Sequence, residues 1–368
     1  MDVLSFFSTY LVPFLLTLTV VVFVHELGHF LVARWNGVHV EVFSIGFGPE
    51  IIGFDDARGT RWKISLIPLG GYVRFLGDAD ASSAVAADVA VEDRERAFAS
   101  KRVWQRVAIV FAGPAANFLF ALVVFSLVFM FVGKPFTPAV VDRVSEGSPA
   151  AAAGIQPGDE ITAIEGRAVR QFEDLRMLVP VYGAAPMRVT VLRNGQELVL
   201  HTVPEWREMP DGFGKTQKIP VLGVSSSGSA FRIERLGPLD SVVEAVNRTW
   251  SVSVSTLAAL GQIVVGTRGV EDLGGPVRIA EYSGNAAQLG FLSMIMFVAV
   301  LSVNLGLINL FPIPALDGGH LVLYAWEAVC GRPLGEKAQE IGLRIGLILL
   351  FGLMIFTTWN DILRLIAG

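Results

Sequence analysis

The chain is poor in cysteine, in charge and in basic residues near its start. Its 368 residues include one cysteine, Cys330. A lone thiol forms no internal disulfide and builds no thiolate metal cage. Only 17% of the residues are charged, against about 25% in ordinary soluble domains. The net charge of −5 provides no basic face, so no nucleic-acid partner is expected. No Lys or Arg precedes Arg34. A cleaved signal peptide carries a positive leading segment and a shorter apolar core, so the first apolar run is read as a retained helix.

Apolar length is what the chain has in plenty. Hydrophobic residues make up 52% of it, and a helix crosses a bilayer with about 20 of them in succession. Runs at 10–35, 103–132, 289–311 and 341–366 meet that length. The expected class is a polytopic α-helical membrane protein with four transmembrane helices, in contact with lipid. Its expected segments are 1–35, 36–102, 103–132, 133–204, 205–288, 289–311, 312–340 and 341–368. Basic residues collect on the cytoplasmic side of spans. Arg34, Arg58, Arg61, Lys63, Arg94, Arg96, Lys101, Arg102 and Arg106 flank 36–102, and Arg332 and Lys337 sit in 312–340. Those two loops are therefore read as inner, and 133–288 as outer.

Between the spans the patterns change. "VEVFSIGFGPEIIGF" at 40–54 and "RWKISLIPLGGYVRF" at 61–75 alternate around "DDARGT", which predicts a membrane-associated β-hairpin. Its edge could hold another chain extended. In the outer loop, short β-like runs surround the turn "GIQPGD", "FEDLRMLVPVY" has helical spacing, and "MRVTVLRNGQELVLHTV" is a hairpin around Asn194-Gly195. That order, over about 138–204, resembles a PDZ domain of the bacterial protease-associated type. Such domains bind peptides or protein C-termini by adding them to a sheet edge; a purely steric screen is the alternative. Residues 205–231 read as linker with an extra strand. Residues 238–265 have amphipathic helical spacing, as one helix or two, packed on the protein or lying on the membrane surface.

The chemistry is concentrated in "HELGH" at 25–29, inside the first span. Histidines four residues apart share one face of a helix, and both imidazoles can reach one Zn²⁺. The glutamate between them projects near the open coordination position, where it can take a proton from water. Two buried histidines satisfied by neighbours would be the ordinary reading in a soluble protein. Within a span, His25, Glu26 and His29 are costly and call for a compensating partner, and a dication supplies one. Catalytic zinc takes three protein ligands. In "NLFPIPALDGGHL" at 309–321, Pro312 and Pro314 break the helix, and irregular backbone at that depth is tolerated around a protein-lined or wet cavity. Asp317 there would complete a His₂Asp set, with His320 as the other candidate.

Together these stretches resemble the site-2 protease family of intramembrane zinc metalloproteases, in the bacterial branch that includes the regulator of sigma-E protease. The matching pieces are "HELGHFLVA" (25–33), "GFGP" (46–49), "IPLGGYV" (67–73), "AGPAANF" (112–118), the PDZ-like segment, "GGPVRIA" (274–280) and "NLFPIPALDGGHL" (309–321), in the family's order. The resemblance implies that His25, His29 and Asp317 bind Zn²⁺, that Glu26 is the general base, and that Asn309 holds the substrate backbone or an oxyanion. A cap on the broken third span is the alternative for Asn309. Gly113 and Pro114 would either loosen the second span or allow close helix packing. The implied activity is hydrolysis of a peptide bond in or beside the transmembrane segment of single-span membrane proteins. It would follow a first outer cut, in regulated intramembrane proteolysis of, for example, an anti-sigma factor or a signal-peptide remnant. The implied location is the bacterial inner membrane, with the PDZ segment periplasmic and the site near the cytoplasmic side. The chain departs from the branch's tandem-PDZ pattern in showing one such segment. An inactive peptide-binding scaffold and a metal transporter are the competing classes; the paired HExxH and LDG motifs speak against the first, and ligands at a single depth against the second.

Overall fold

The computed structural model describes residues 7–77, 91–210, 216–226, 232–266 and 274–367. The loop expected at 79–91 lies outside them save for its last residue, as do parts of the 205–231 linker. The chain divides into two units, Met1–Leu127 with Pro238–Gly368, and Val128–Gly237. Among the described residues, four helices are long and apolar enough to cross a membrane: Ser8–Trp35, Val103–Phe131, Phe291–Asn309 and Lys337–Leu363. This is the architecture of a polytopic membrane protein.

In the first unit, helix α1 (Val12–Trp35) has a proline in its first turn, where a missing amide costs nothing. It stops at Asn36, whose Nδ2 donates to the Val32 carbonyl at 2.8 Å. Its buried residues include Phe14, Thr17, Val21, His25, Gly28 and His29, which recur at helical spacing and place both histidines on the packed face. Strands β1 (Val40–Asp55) and β2 (Arg61–Phe75) follow. They do more than form the expected hairpin. Val42, Phe43, Ser44 and Ile45 each have two partners, Arg74, Val73, Tyr72 and Gly71 on one side and Arg61, Trp62, Lys63 and Ile64 on the other. Both strands therefore fold back, and the first half of β1 is sandwiched between the two arms of β2. Phe43, 1% exposed, stacks on Trp62 at 4.2 Å and meets the edge of Phe30 of α1. Burying one such ring contributes roughly 1.5–3 kcal/mol. The far half of the hairpin instead exposes Phe47, Ile51, Ile52, Phe54, Leu66 and Ile67, an apolar surface suited to lipid.

Helix α2 (Val103–Phe131) continues unbroken through Pro114. The second unit follows it. Strands β3 (Lys134–Phe136), β4 (Arg143–Val144), β5 (Glu160–Ile164), β6 (Arg167–Ala168), β7 (Met187–Arg193) and β8 (Gln196–Thr202) alternate with helices α3 (Pro149–Ala152) and α4 (Phe172–Tyr182). The main sheet has the order β6-β5-β7-β8. Its core includes Val141, Ile161, Ile164, Val189 and Val191, and also Leu222, beyond the expected end at 204. A second hairpin, β9 (Glu205–Pro210) with β10 (Thr216–Val221), occupies part of the expected linker; β11 (Val224–Ser225) pairs with β4, and β12 (Arg232–Glu234) with β3.

Back in the first unit, residues 238–265 form a single helix, α5 (Pro238–Val265). Helix α6 (Pro276–Gln288) starts with "GGP" because Asp361 covers its first turn: the Arg278 amide donates to Oδ2 at 3.0 Å, and a Cβ on Gly275 would lie 2.7 Å from that oxygen. Helix α7 (Phe291–Asn309) is the third apolar helix, tied to α5 by the Thr256 hydroxyl donating to Asn304 at 2.9 Å. Irregular backbone then runs to helix α8 (Asp317–Cys330), with Ala315 at φ 84°, a conformation that strains an L-residue. Gly318 and Gly319 let α8 nest against it: a Cβ on either would lie 2.5 Å from a carbonyl oxygen, Leu310 or Ile313. The last helix, α9 (Glu336–Ala367), begins five residues before the expected 341, since Glu336, Lys337 and Glu340 are good helix formers in a first turn outside the apolar stretch.

Candidate metal centre

His25 and His29 lie one turn apart on the buried face of α1, and Asp317 is the first residue of α8. The sequence separates them by nearly 300 residues; the fold brings them together. Nε2 of His25 is 3.2 Å from Nε2 of His29. Oδ2 of Asp317 is 3.1 Å from the first and 3.5 Å from the second, and neither pair has hydrogen-bonding geometry. These residues form the one group of metal-ligating side chains found among the described residues, and His320 is outside it.

The outer faces of the imidazoles are held by α2. Nδ1 of His29 is 2.9 Å from the Ile109 carbonyl, which can only accept. Nδ1 therefore carries the proton and Nε2 presents a lone pair. Nδ1 of His25 faces the side-chain amide of Asn117 at 3.2 Å. Gly113 lies between these supports, one turn from each. A Cβ on Gly113 would overlap Nε2 of His29 and lie 2.9 Å from Cε1 of His25, and one on Gly28 would lie 2.7 Å from Cβ of Ala116. Small residues let the two helices touch. Gly113 thus serves close packing, and Pro114 does not loosen the helix.

Burial alone would push the Asp317 carboxyl up, but the imidazoles beside it, His29 foremost, hold it below the usual carboxylate range. It is an anion. Burial pushes His320 down and keeps it neutral. Two imidazole nitrogens and a carboxylate oxygen converge within 3.5 Å of one another, and the Asp317 oxygen has no hydrogen-bond partner among the described residues. Such a donor set fits a divalent cation of the zinc class. Glu26 lies between the histidines, with the backbone of Val73 in β2 near its carboxylate. Gly71 lies beside it: a Cβ there would be 3.3 Å from Cγ of Glu26 and 2.9 Å from Cγ1 of Val22. The 71–75 arm of β2 thereby abuts this carboxylate. Asn309 is the last residue of α7, where the chain breaks before Asp317, and is half-buried.

Sequence reasoning passed over Ile109, Val73 and Asn117. The first two act through backbone atoms, which no side-chain pattern reveals. Asn117 did carry a signal, being an amide within an apolar span four residues after Gly113 and eight after Ile109, on one helix face.

A metal-ligand cluster enclosed by apolar membrane-length helices defines a membrane-embedded metalloenzyme. The sequence profile of peptidase family M50 matches residues 13–353. A protein of Agrobacterium fabrum, provisionally named a zinc metalloprotease, is 47% identical over 99% of this chain and 98% of its own length. A Rhizobium meliloti protein of the same provisional name is 43% identical over 96% of each chain. The metalloprotease MmpA of Caulobacter vibrioides is 38% identical over 97% of this chain and 96% of its own. The chain belongs to peptidase family M50, the site-2 protease family, whose members are metalloproteases that use Zn²⁺.

Proposed function

We propose that this protein is an intramembrane endopeptidase that cuts single-span membrane proteins in or beside their transmembrane segment. His25, His29 and Asp317 hold its zinc. The observation that carries this reading is the convergence of those three side chains, the two histidines lying with Glu26 on a helix of membrane length. Zinc bound there supplies a Lewis acid for the attacking water and the scissile carbonyl. Glu26, beside the β2 backbone, takes the water's proton and returns it to the leaving amine. A peptide bond inside a helix is shielded, so the substrate must be extended to react. The arm of β2 beside Glu26 is suited to hold it by strand addition. Asn309, at the break before Asp317, holds the substrate backbone or the developing oxyanion.

The second unit serves as a PDZ-type module that takes peptide or protein C-termini, or screens out substrates whose outer part is uncut. The basic residues around 36–102 and 312–340 favour a site near the cytoplasmic face of a bacterial inner membrane, with this module on the periplasmic side. The role is then the second cut of regulated intramembrane proteolysis, on an anti-sigma factor or a signal-peptide remnant. The test is Glu26→Gln in detergent-purified protein. Cleavage of a single-span substrate should disappear while zinc per chain stays at the parental level; retained turnover would remove Glu26 from the mechanism.

A further inference from the structure

Asn117 has 0% exposure in the middle of a helix whose neighbouring residues are Ala115, Ala116, Phe118 and Leu119. An amide in such surroundings is costly unless it is hydrogen-bonded. Its turn of α2 is fixed from α7. The Ser302 hydroxyl donates to the Asn117 carbonyl at 3.1 Å, and a Cβ on Gly306 would lie 3.2 Å from Cβ of Asn117. From this clamped position the side chain reaches Nδ1 of His25. Nδ2 sits 3.2 Å from that nitrogen, while Oδ1 is buried with no hydrogen-bond partner among the described residues.

A histidine that offers Nε2 to a metal carries its proton on Nδ1, and that proton needs an acceptor. For His29 the acceptor is the Ile109 carbonyl. For His25 the Asn117 side chain is the partner at Nδ1 among the described residues. The two ends of an amide are alike in shape. Turned by half a rotation in the same space, Oδ1 meets Nδ1–H, and the orphan acceptor and the imidazole proton satisfy each other. We infer that Asn117 is a positioning residue for the metal centre, fixing the Nδ1–H tautomer and the ring orientation of His25. The inference rests on the ligand set proposed above. It separates the two histidines: His29 is oriented by a backbone group that substitution leaves in place, His25 by one replaceable side chain.

The test is the zinc dissociation constant of the full-length, detergent-purified chain, measured by competition with a chromophoric chelator for the parent, Asn117→Leu and Asn117→Asp. Leu keeps the branching of Asn at Cγ, with bulkier methyl groups, but accepts nothing, so N117L should bind zinc about 10–100-fold more weakly. Asp keeps an acceptor at the same place, so N117D should bind zinc as tightly as the parent or more tightly. A residue that only fills space predicts the reverse order, with Leu tolerated and the buried charge harmful. Parental zinc affinity in N117L overturns the inference. Should N117L not fold, N117D decides: parental or tighter binding supports it, tenfold weaker binding overturns it. A folded parent that takes up no zinc would overturn the ligand set itself, and this inference with it.

Discussion

Gly113 of α2 is pressed against His29 of α1, so closely that a Cβ would overlap Nε2. The same Cβ would lie 2.9 Å from Cε1 of His25. The helix contact and the metal centre are thus one structural feature. Gly113→Ala must displace one or both imidazoles, at an overpacking cost of about 1–3 kcal/mol. Zinc affinity should fall roughly ten- to hundredfold, as read by chelator competition. Unchanged affinity would show that the rings can shift without losing the ligand geometry.

Asp317 and His320 were both candidates for the third ligand, and the geometry brings Asp317 alone to the histidines. Asp317→Ala should reduce zinc per chain to a small fraction of the parental value, measured by atomic absorption after removal of loosely bound metal. His320→Ala should retain it. The opposite pattern would transfer the ligand role to His320.

Gly71 tests the 71–75 arm of β2. A Cβ there meets Val22 Cγ1 at 2.9 Å and Glu26 Cγ at 3.3 Å, close to the proposed general base yet apart from the three proposed ligand atoms. Gly71→Val should lower peptide-bond cleavage at least tenfold by misplacing Glu26, an order of magnitude in line with small displacements of catalytic groups. Zinc content should stay parental. Loss of zinc together with activity would mean that the substitution disrupts the whole centre.

In the second unit, Asp159 receives Arg193 in a two-pronged contact, Nε to Oδ1 at 2.6 Å and Nη2 to Oδ2 at 2.7 Å, and accepts the Gln156 amide at 2.8 Å. Its side chain is 1% exposed. Arg193→Ala strands a buried carboxylate and should destabilise this unit by about 3 kcal/mol. The Arg193 contact outweighs burial and holds the carboxyl below the usual carboxylate range. The ion pair's contribution is therefore fully present above the unfolded pKa of about 3.9 and is lost as pH falls through the lower folded value. The difference in unfolding between parent and R193A should stay constant from about pH 8 to 5 and shrink below about pH 4. A gap that persists in acid would mean that Arg193 acts by packing.

The sequence by itself determined the membrane class, the spans to within a few residues, and the candidate chemistry of His25, Glu26 and His29. These are local properties. A span is a run of apolar residues long enough for a bilayer, and HExxH lies on one turn of one helix. Asp317 was legible as a candidate because two prolines break the chain before it, though nothing local chose between it and His320. That choice required knowing where α8 begins relative to α1, which depends on Gly318 and Gly319 nesting in the irregular backbone. The doubled folding of β1 and β2 was hidden for a similar reason: alternation gives the faces of a strand but not which arm lies beside which. The supports of the site were least visible. The Ile109 carbonyl and the backbone of Val73 are groups common to any sequence, and Asn117 acquires its meaning only when Gly113 lets α2 lie against α1. Composition and spacing settle what a segment can do alone; which atoms meet across segments is decided by packing, and here packing brings the Ile109 carbonyl, Asn117 and Asp317 to the two histidines.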